Sequence, residues 1–271
     1  MKKYLLIGVA IISIIYSCAT NPMTGTKELN FVSNSQLFPS SFQQYGAFLK
    51  ENKIISGTAD AKLVEMIGLK IKSAAEKYAI YLGQTGYLNG YQWEYKLIES
   101  KEVNAWCMPG GKIVVYSGIL PITKDEAGLA TVLGHEVSHA LANHGAQRMS
   151  ASQLQELGAV GVAVATGQQS TEKQQMWQQY YGLGSEVGVM LPFSRNHESE
   201  ADKIGLTLMA IAGYNPDDAI IFWQRMATQS GGQSPPEFLS THPSDATRMA
   251  NLKALIPEAK ATAAKVNASY K

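Results

Sequence analysis

Two hydrophobic periods divide the chain. Across residues 60–79, Val64, Ile67, Ile71, Ala74, Ala75 and Tyr78 recur at three- and four-residue steps. That spacing predicts an amphipathic helix, capped by Thr58 or Asp60. Residues 35–50 carry Leu37, Phe38, Phe42, Tyr45, Phe48 and Leu49 and predict an earlier helix, interrupted near its start by Pro39. At residue 92 the period falls to two. Trp93, Tyr95 and Leu97 take one side and Gln92, Glu94 and Lys96 the other, which predicts a half-buried strand. Residues 103–108 and 112–116 predict two more short strands around the turn Pro109-Gly110-Gly111. Helical spacing returns at Ala130, Leu133, Val137 and Leu141. Residues 150–166, rich in Ala, Gly and Val, predict a closely packed helix, and residues 168–181, with six glutamines, a solvated helical connection or a mobile flap. Ser194 is placed to cap a run to about Ala212 that Gly213 stops. Asn215 caps the next helix, with Pro216 in its first turn. The pattern predicts a mostly helical α+β domain with a small sheet.

The N-terminus changes this picture. Lys2 and Lys3 precede an apolar run over residues 5–15, too short for a comfortable membrane span. Ser17-Cys18 follows. A small residue before a cysteine, after such a run, resembles a bacterial lipoprotein cleavage site. Residues 1–17 are therefore expected to be a signal peptide, with lipid on Cys18 tying the chain to a membrane. The turn-rich residues 18–34 are expected to be a tether, 35–256 the domain and 257–271 a polar tail. Cys107 is then left without an intrachain partner and is expected to be a buried apolar residue, not a nucleophile. The 271 residues carry a net charge of +1 with no long run of one sign, which makes no electrostatic case for a nucleic-acid partner.

Within the central helix lies His135-Glu136-Val137-Ser138-His139. Residues four apart share a helix face, so two imidazoles can point at one zinc ion while Glu136 stays free to take a proton from the attacking water. A third protein ligand is needed. Residues 194–202, Ser-Arg-Asn-His-Glu-Ser-Glu-Ala-Asp, offer Glu198 and Asp202 on one face. Glu198 can bind the metal. Asp202 can accept a hydrogen bond from the far nitrogen of a ligand histidine. Gly205, one turn on, would let two helices approach closely. Glu200 falls about 200° round from Glu198 and reads as a solvent face, His197 lies off that face, and His144 lies off the line of the two ligands. The longer H-E-x-x-H-x-x-G-x-x-H pattern is excluded by Ala142 and Gly145.

These two stretches together resemble the HtpX and CAAX-prenyl-protease family of zinc metallopeptidases, and in particular its lipoprotein relatives of the Gram-negative periplasm. Asn21-Pro22-Met23-Thr24-Gly25, Asn104-Ala105-Trp106 with Pro109-Gly110-Gly111, and Ser240-Thr241-His242-Pro243-Ser244 are similar to further segments of that family. The resemblance implies one zincin-like domain and one zinc ion held by His135, His139 and Glu198. It also implies substrate-edge positions at Asn104 and Ala105. His242 lies near the metal on the same grounds, either stabilising the oxyanion or filling the fourth metal position in a latent enzyme, and Arg248 could serve in a similar charge-stabilising role. The implied function is an endopeptidase that degrades misfolded or unassembled envelope polypeptides, lipid-anchored in the periplasm at the outer membrane. The competing expectations are a zinc-stabilised chaperone or assembly factor with little turnover, and a purely structural lipoprotein. Oligomeric state is not legible in the residues.

Overall fold

The structure is a computed structural model and describes residues 18–229, 237–242 and 246–269. Strands β1 (Cys18–Thr20) and β2 (Lys27–Leu29) form an antiparallel hairpin. Helix α1 (Asn34–Glu51), strand β3 (Ile54–Ile55) and helix α2 (Ala59–Tyr81) follow. Then come β4 (Glu94–Ile98), β5 (Ala105–Met108) and β6 (Lys112–Tyr116). The helices continue as α3 (Leu120–Thr123), α4 (Glu126–Leu141), α5 (His144–Thr166) and α6 (Thr171–Ser185). A π-helical turn (Glu186–Met190) runs into α7 (Leu191–Ile211). Helices α8 (Asp218–Thr228), α9 (Glu237–Thr241) and α10 (Ala246–Ala268) complete the fold. It is α+β and mostly helical.

The four-stranded sheet has the order β3-β4-β6-β5, with β4 and β6 parallel and the other pairs antiparallel. Ile113, Val114 and Val115 of β6 are all buried because both faces of the sheet are covered. Ile113 and Val115 join the main core with Ile67 and Ile71 of α2 and Leu129 and Leu133 of α4. Val114 packs with Tyr45 of α1 and Ile98 on the other face. Strand β5 is one edge of the sheet, unpaired on its outer side among the described residues, and packs beside α4.

Helix α4 is the central element. The Asp125 carboxylate accepts the Gly128 N–H at 2.7 Å and caps its start. Every residue from Gly128 through Leu141 is buried, polar ones included. Its backbone meets that of α7 at Gly134 and Gly205. A Cβ on Gly205 would stand 3.0 Å from the His135 nitrogen, and one on Gly134 would stand 2.9 Å from the Gly205 oxygen.

Several expectations are corrected. Pro39 lies inside α1 without stopping it. Residues 18–34 are no loose tether: Asn21, Met23 and Glu28 are buried, and Met23 belongs to the main core. The expected tail from residue 257 is helical as far as it is described: α10 runs through Pro257 to Ala268 and buries Ala259, Ala263 and Val266. Ser194 sits within α7, which begins earlier. Helix α5 is not closely packed over residues 152–165, where Leu157, Val160 and Val164 are exposed, and α6 buries no residue at all. An Ala- and Gly-rich helix offers the body little apolar surface, and these two helices pair mainly with each other. The signal-peptide expectation for residues 1–17 falls outside the described residues, as do Pro243 and Ser244.

Candidate metal centre

Helix α4 presents His135 and His139 one turn apart, and α7 brings Glu198 against them across the Gly134–Gly205 contact. His242, at the end of α9, completes a group of four donors whose ligand atoms all lie within 4.8 Å of one another. His135 Nε2 stands 3.1 Å from His139 Nε2 and 3.1 Å from His242 Nδ1. Glu198 lies 3.3 Å from each helix histidine and 2.8 Å from His242 Nδ1. Four ligands about 2.0–2.1 Å from a tetrahedral zinc stand about 3.3 Å apart. The N₃O donor set therefore fits such an ion in both chemistry and spacing.

The far nitrogens are also assigned. His135 Nδ1 lies 3.0 Å from Asp202 Oδ1. Arg248 holds Asp202 from behind, donating from Nε and from a terminal nitrogen at 2.8 and 2.7 Å, with its guanidinium 3.6 Å over the Trp223 ring. Burial alone would push Asp202 up, but Arg248 and His135 outweigh it and keep the carboxyl below its ordinary range. With Nδ1 directed at Asp202, His135 turns Nε2 toward the other donors. Some positive charge must sit among them. Burial opposes charge on His135, yet the Asp202 and Glu198 carboxylates lift it to about 9, so a proton serves in the metal-free protein. At His139 burial prevails and keeps the ring neutral.

Glu136 points its Oε1 to 3.4 Å from His242 Nε2 and makes no hydrogen bond there. Burial pushes its carboxyl up from the ordinary range. Asn104 and Ala105 open the edge strand: Asn104 Oδ1 accepts the Ala105 N–H at 2.9 Å, and the Asn104 carbonyl accepts Tyr116 N–H at 3.1 Å. This phase turns the backbone groups of Ala105 and Cys107 outward from the sheet. A cavity of about 280 Å³ opens beside Glu198, lined by Arg195, Asp202, Arg248 and Asn251 among others.

Sequence reasoning passed over three residues here. His144 and Glu200 are drawn in behind His139, and His197 stacks on His144 with ring centroids 4.0 Å apart. The available signal was composition: the chain has five histidines, and all five form one contiguous cluster.

Two imidazoles and a carboxylate on one buried helix, facing a third donor on a packed neighbour, define a metallohydrolase centre of the H-E-x-x-H type. Residues 69–256 match peptidase family M48, and the chain belongs to that family. It is 34% identical over 203 residues to "Mitochondrial metalloendopeptidase OMA1" of Saccharomyces cerevisiae, covering 72% of this chain and 56% of that one. The human "Metalloendopeptidase OMA1, mitochondrial" is 29% identical over 88% of this chain and 46% of its own. "Beta-barrel assembly-enhancing protease" of Escherichia coli is 30% identical over 59% and 34%. The chain thus spans about half the length of the first of these relatives and less of the others. The expected location, periplasmic and lipid-anchored at the outer membrane, is overturned: the yeast and human relatives are mitochondrial by name. An apolar leader ending in a small residue and a cysteine resembles a targeting segment without specifying a compartment.

Proposed function

We propose that the chain is a zinc-dependent endopeptidase acting on misfolded or unassembled polypeptides. The observation that carries this is the convergence of His135, His139, Glu198 and His242 on one point, with Glu136 buried beside them. His135, His139 and Glu198 would hold one zinc ion. When bound, the metal polarises the scissile carbonyl and acidifies a water. The remaining work falls to the chain. Glu136, its carboxyl raised by burial, takes the proton of the attacking water and returns it to the leaving amine. The outward carbonyl of Ala105 and the outward backbone groups of Cys107 pair with an extended substrate strand, which tolerates many side chains. That tolerance suits unfolded substrates, and the relative named as assembly-enhancing supports the unassembled class. Within the family we place the chain near the HtpX and CAAX-prenyl-protease branch, whose edge segment resembles Asn104-Ala105-Trp106.

A second reading has its own observation. His242 Nδ1 occupies the fourth apex of the donor group, where a catalytic zinc keeps an open position. Turnover then requires His242 to leave, and a chaperone or assembly factor with latent activity is the alternative.

Two variants of the full chain separate these readings. Glu136→Gln should retain its metal by elemental analysis and lose about 10²–10⁴ in the rate of cleaving an unfolded test protein; cleavage at the wild-type rate would sink the peptidase reading. His242→Ala should cleave faster than wild type if the histidine blocks the fourth position. If it cleaves more slowly, His242 acts on the reacting atoms instead.

A further inference from the structure

We infer that His144 and Glu200 are a positioning pair that sets the ring orientation and tautomer of His139. His139 Nδ1 lies 2.8 Å from His144 Nδ1, and His144 Nε2 lies 2.9 Å from Glu200 Oε2. The other Glu200 oxygen accepts the Thr26 hydroxyl at 2.9 Å. A carboxylate only accepts, so the direction of the whole line is set from that end. His144 must carry its proton on Nε2, which leaves Nδ1 as a lone pair. His139 must then donate from Nδ1, which leaves its Nε2 lone pair facing His135, Glu198 and His242. The reverse tautomer would put a proton where a metal ligand needs a lone pair.

The ring of His144 is held for this task. It is fully buried and lies at 12° to the His197 ring, while His197 Nε2 donates to Gln147 Oε1 at 3.0 Å. The turn that places it is local. Asn143 has φ 55°, the left-handed region that asparagine tolerates, and it separates α4 from α5 so that residue 144 folds back on residue 139. The Asn143 amide is itself held by Glu28 Oε1 at 3.3 Å and the Tyr87 hydroxyl at 3.2 Å. Asp202 does for His135 what His144 and Glu200 do for His139. The two metal-facing histidines are thus each oriented by a carboxylate of α7: His135 directly by Asp202, which Arg248 holds, and His139 through His144 of α5 by Glu200, which Thr26 of the N-terminal hairpin holds.

This inference rests on His139 being a metal ligand, and the test separates the two. Zinc affinity of the purified full chain is measured by chelator competition, and the imidazole tautomers of the zinc-free protein by nitrogen NMR. Glu200→Leu, at a partly exposed position, should weaken zinc about ten- to hundredfold, the usual cost of losing such a partner. It should also let an Nε2–H form of His139 appear. Glu200→Gln, which still offers an acceptor oxygen, should fall between Glu200→Leu and wild type. His144→Phe keeps the stacking on His197 but not the acceptor, and should weaken zinc at least as much. Adding Glu200→Leu to it should then change nothing further. A wild-type chain that binds no zinc overturns both readings. Wild-type affinity in Glu200→Leu, with His139 still protonated on Nδ1, overturns the positioning pair alone.

Discussion

At the scale of single residues, the centre is built from side chains that serve one another before they serve a metal. Arg248 shows this most directly. Its two N–H donors fit the Asp202 carboxylate as a fork, and its flat face rests on Trp223. A lysine keeps the charge but neither the fork nor the stacking. Arg248→Lys should therefore destabilise the fold by about 2–3 kcal/mol, less than the 3–5 typical of breaking a buried pair outright, and weaken metal binding through Asp202 and His135. Chemical denaturation and chelator competition on the same preparation check both. An unchanged midpoint would show that Asp202 is held by other means.

At the scale of elements, what matters is how α4 and α7 meet. Gly134 and Gly205 bring the two backbones together, and any side chain there must spread them. Gly134→Ala should cost about 1–3 kcal/mol, as overpacking does. It should also lower metal affinity, because moving α7 moves Glu198 away from His135 and His139. Thermal melting and metal titration should shift together; a variant that melts earlier but binds metal normally would uncouple the contact from the site. This contact was legible beforehand, because Gly205 follows Asp202 by about one helical turn. So were three of the four strands of the sheet, β4, β5 and β6, and the pairing of the 135–139 and 198–202 motifs, whereas the two-residue β3 was too short to show a period. His144 and Glu200 were not legible. Their meeting depends on a single left-handed residue, Asn143, and on a change of helix direction that no periodicity records. The reading of residues 257–271 as a polar tail misled in the opposite sense: the burial of Ala259, Ala263 and Val266 carries α10 on past Pro257.

At the scale of the whole molecule, both ends of the described chain reach the metal centre. The N-terminal hairpin does so through Glu28. Its carboxylate gathers amide donors from Asn21, Asn30, Asn143 and Gln147 at 2.9–3.4 Å, and Thr26 beside it holds Glu200. The C-terminal helix does so through Arg248 at its start, while its far half buries Ala259, Ala263 and Val266 in the main core against the rest of the domain. Stability and site geometry are then one property. Removing residues 257–271 strips a buried valine and two buried alanines, which contribute about 3 kcal/mol by apolar burial. It also shortens the helix that carries Arg248. The shortened chain should melt earlier than the full one and bind zinc more weakly, although no residue that touches the donor group has been removed. If it melts as the full chain does, residues 257–269 are dispensable to the core. If it melts earlier but holds zinc equally well, the start of α10 is anchored by its own contacts, and Arg248 does not need the rest of the helix.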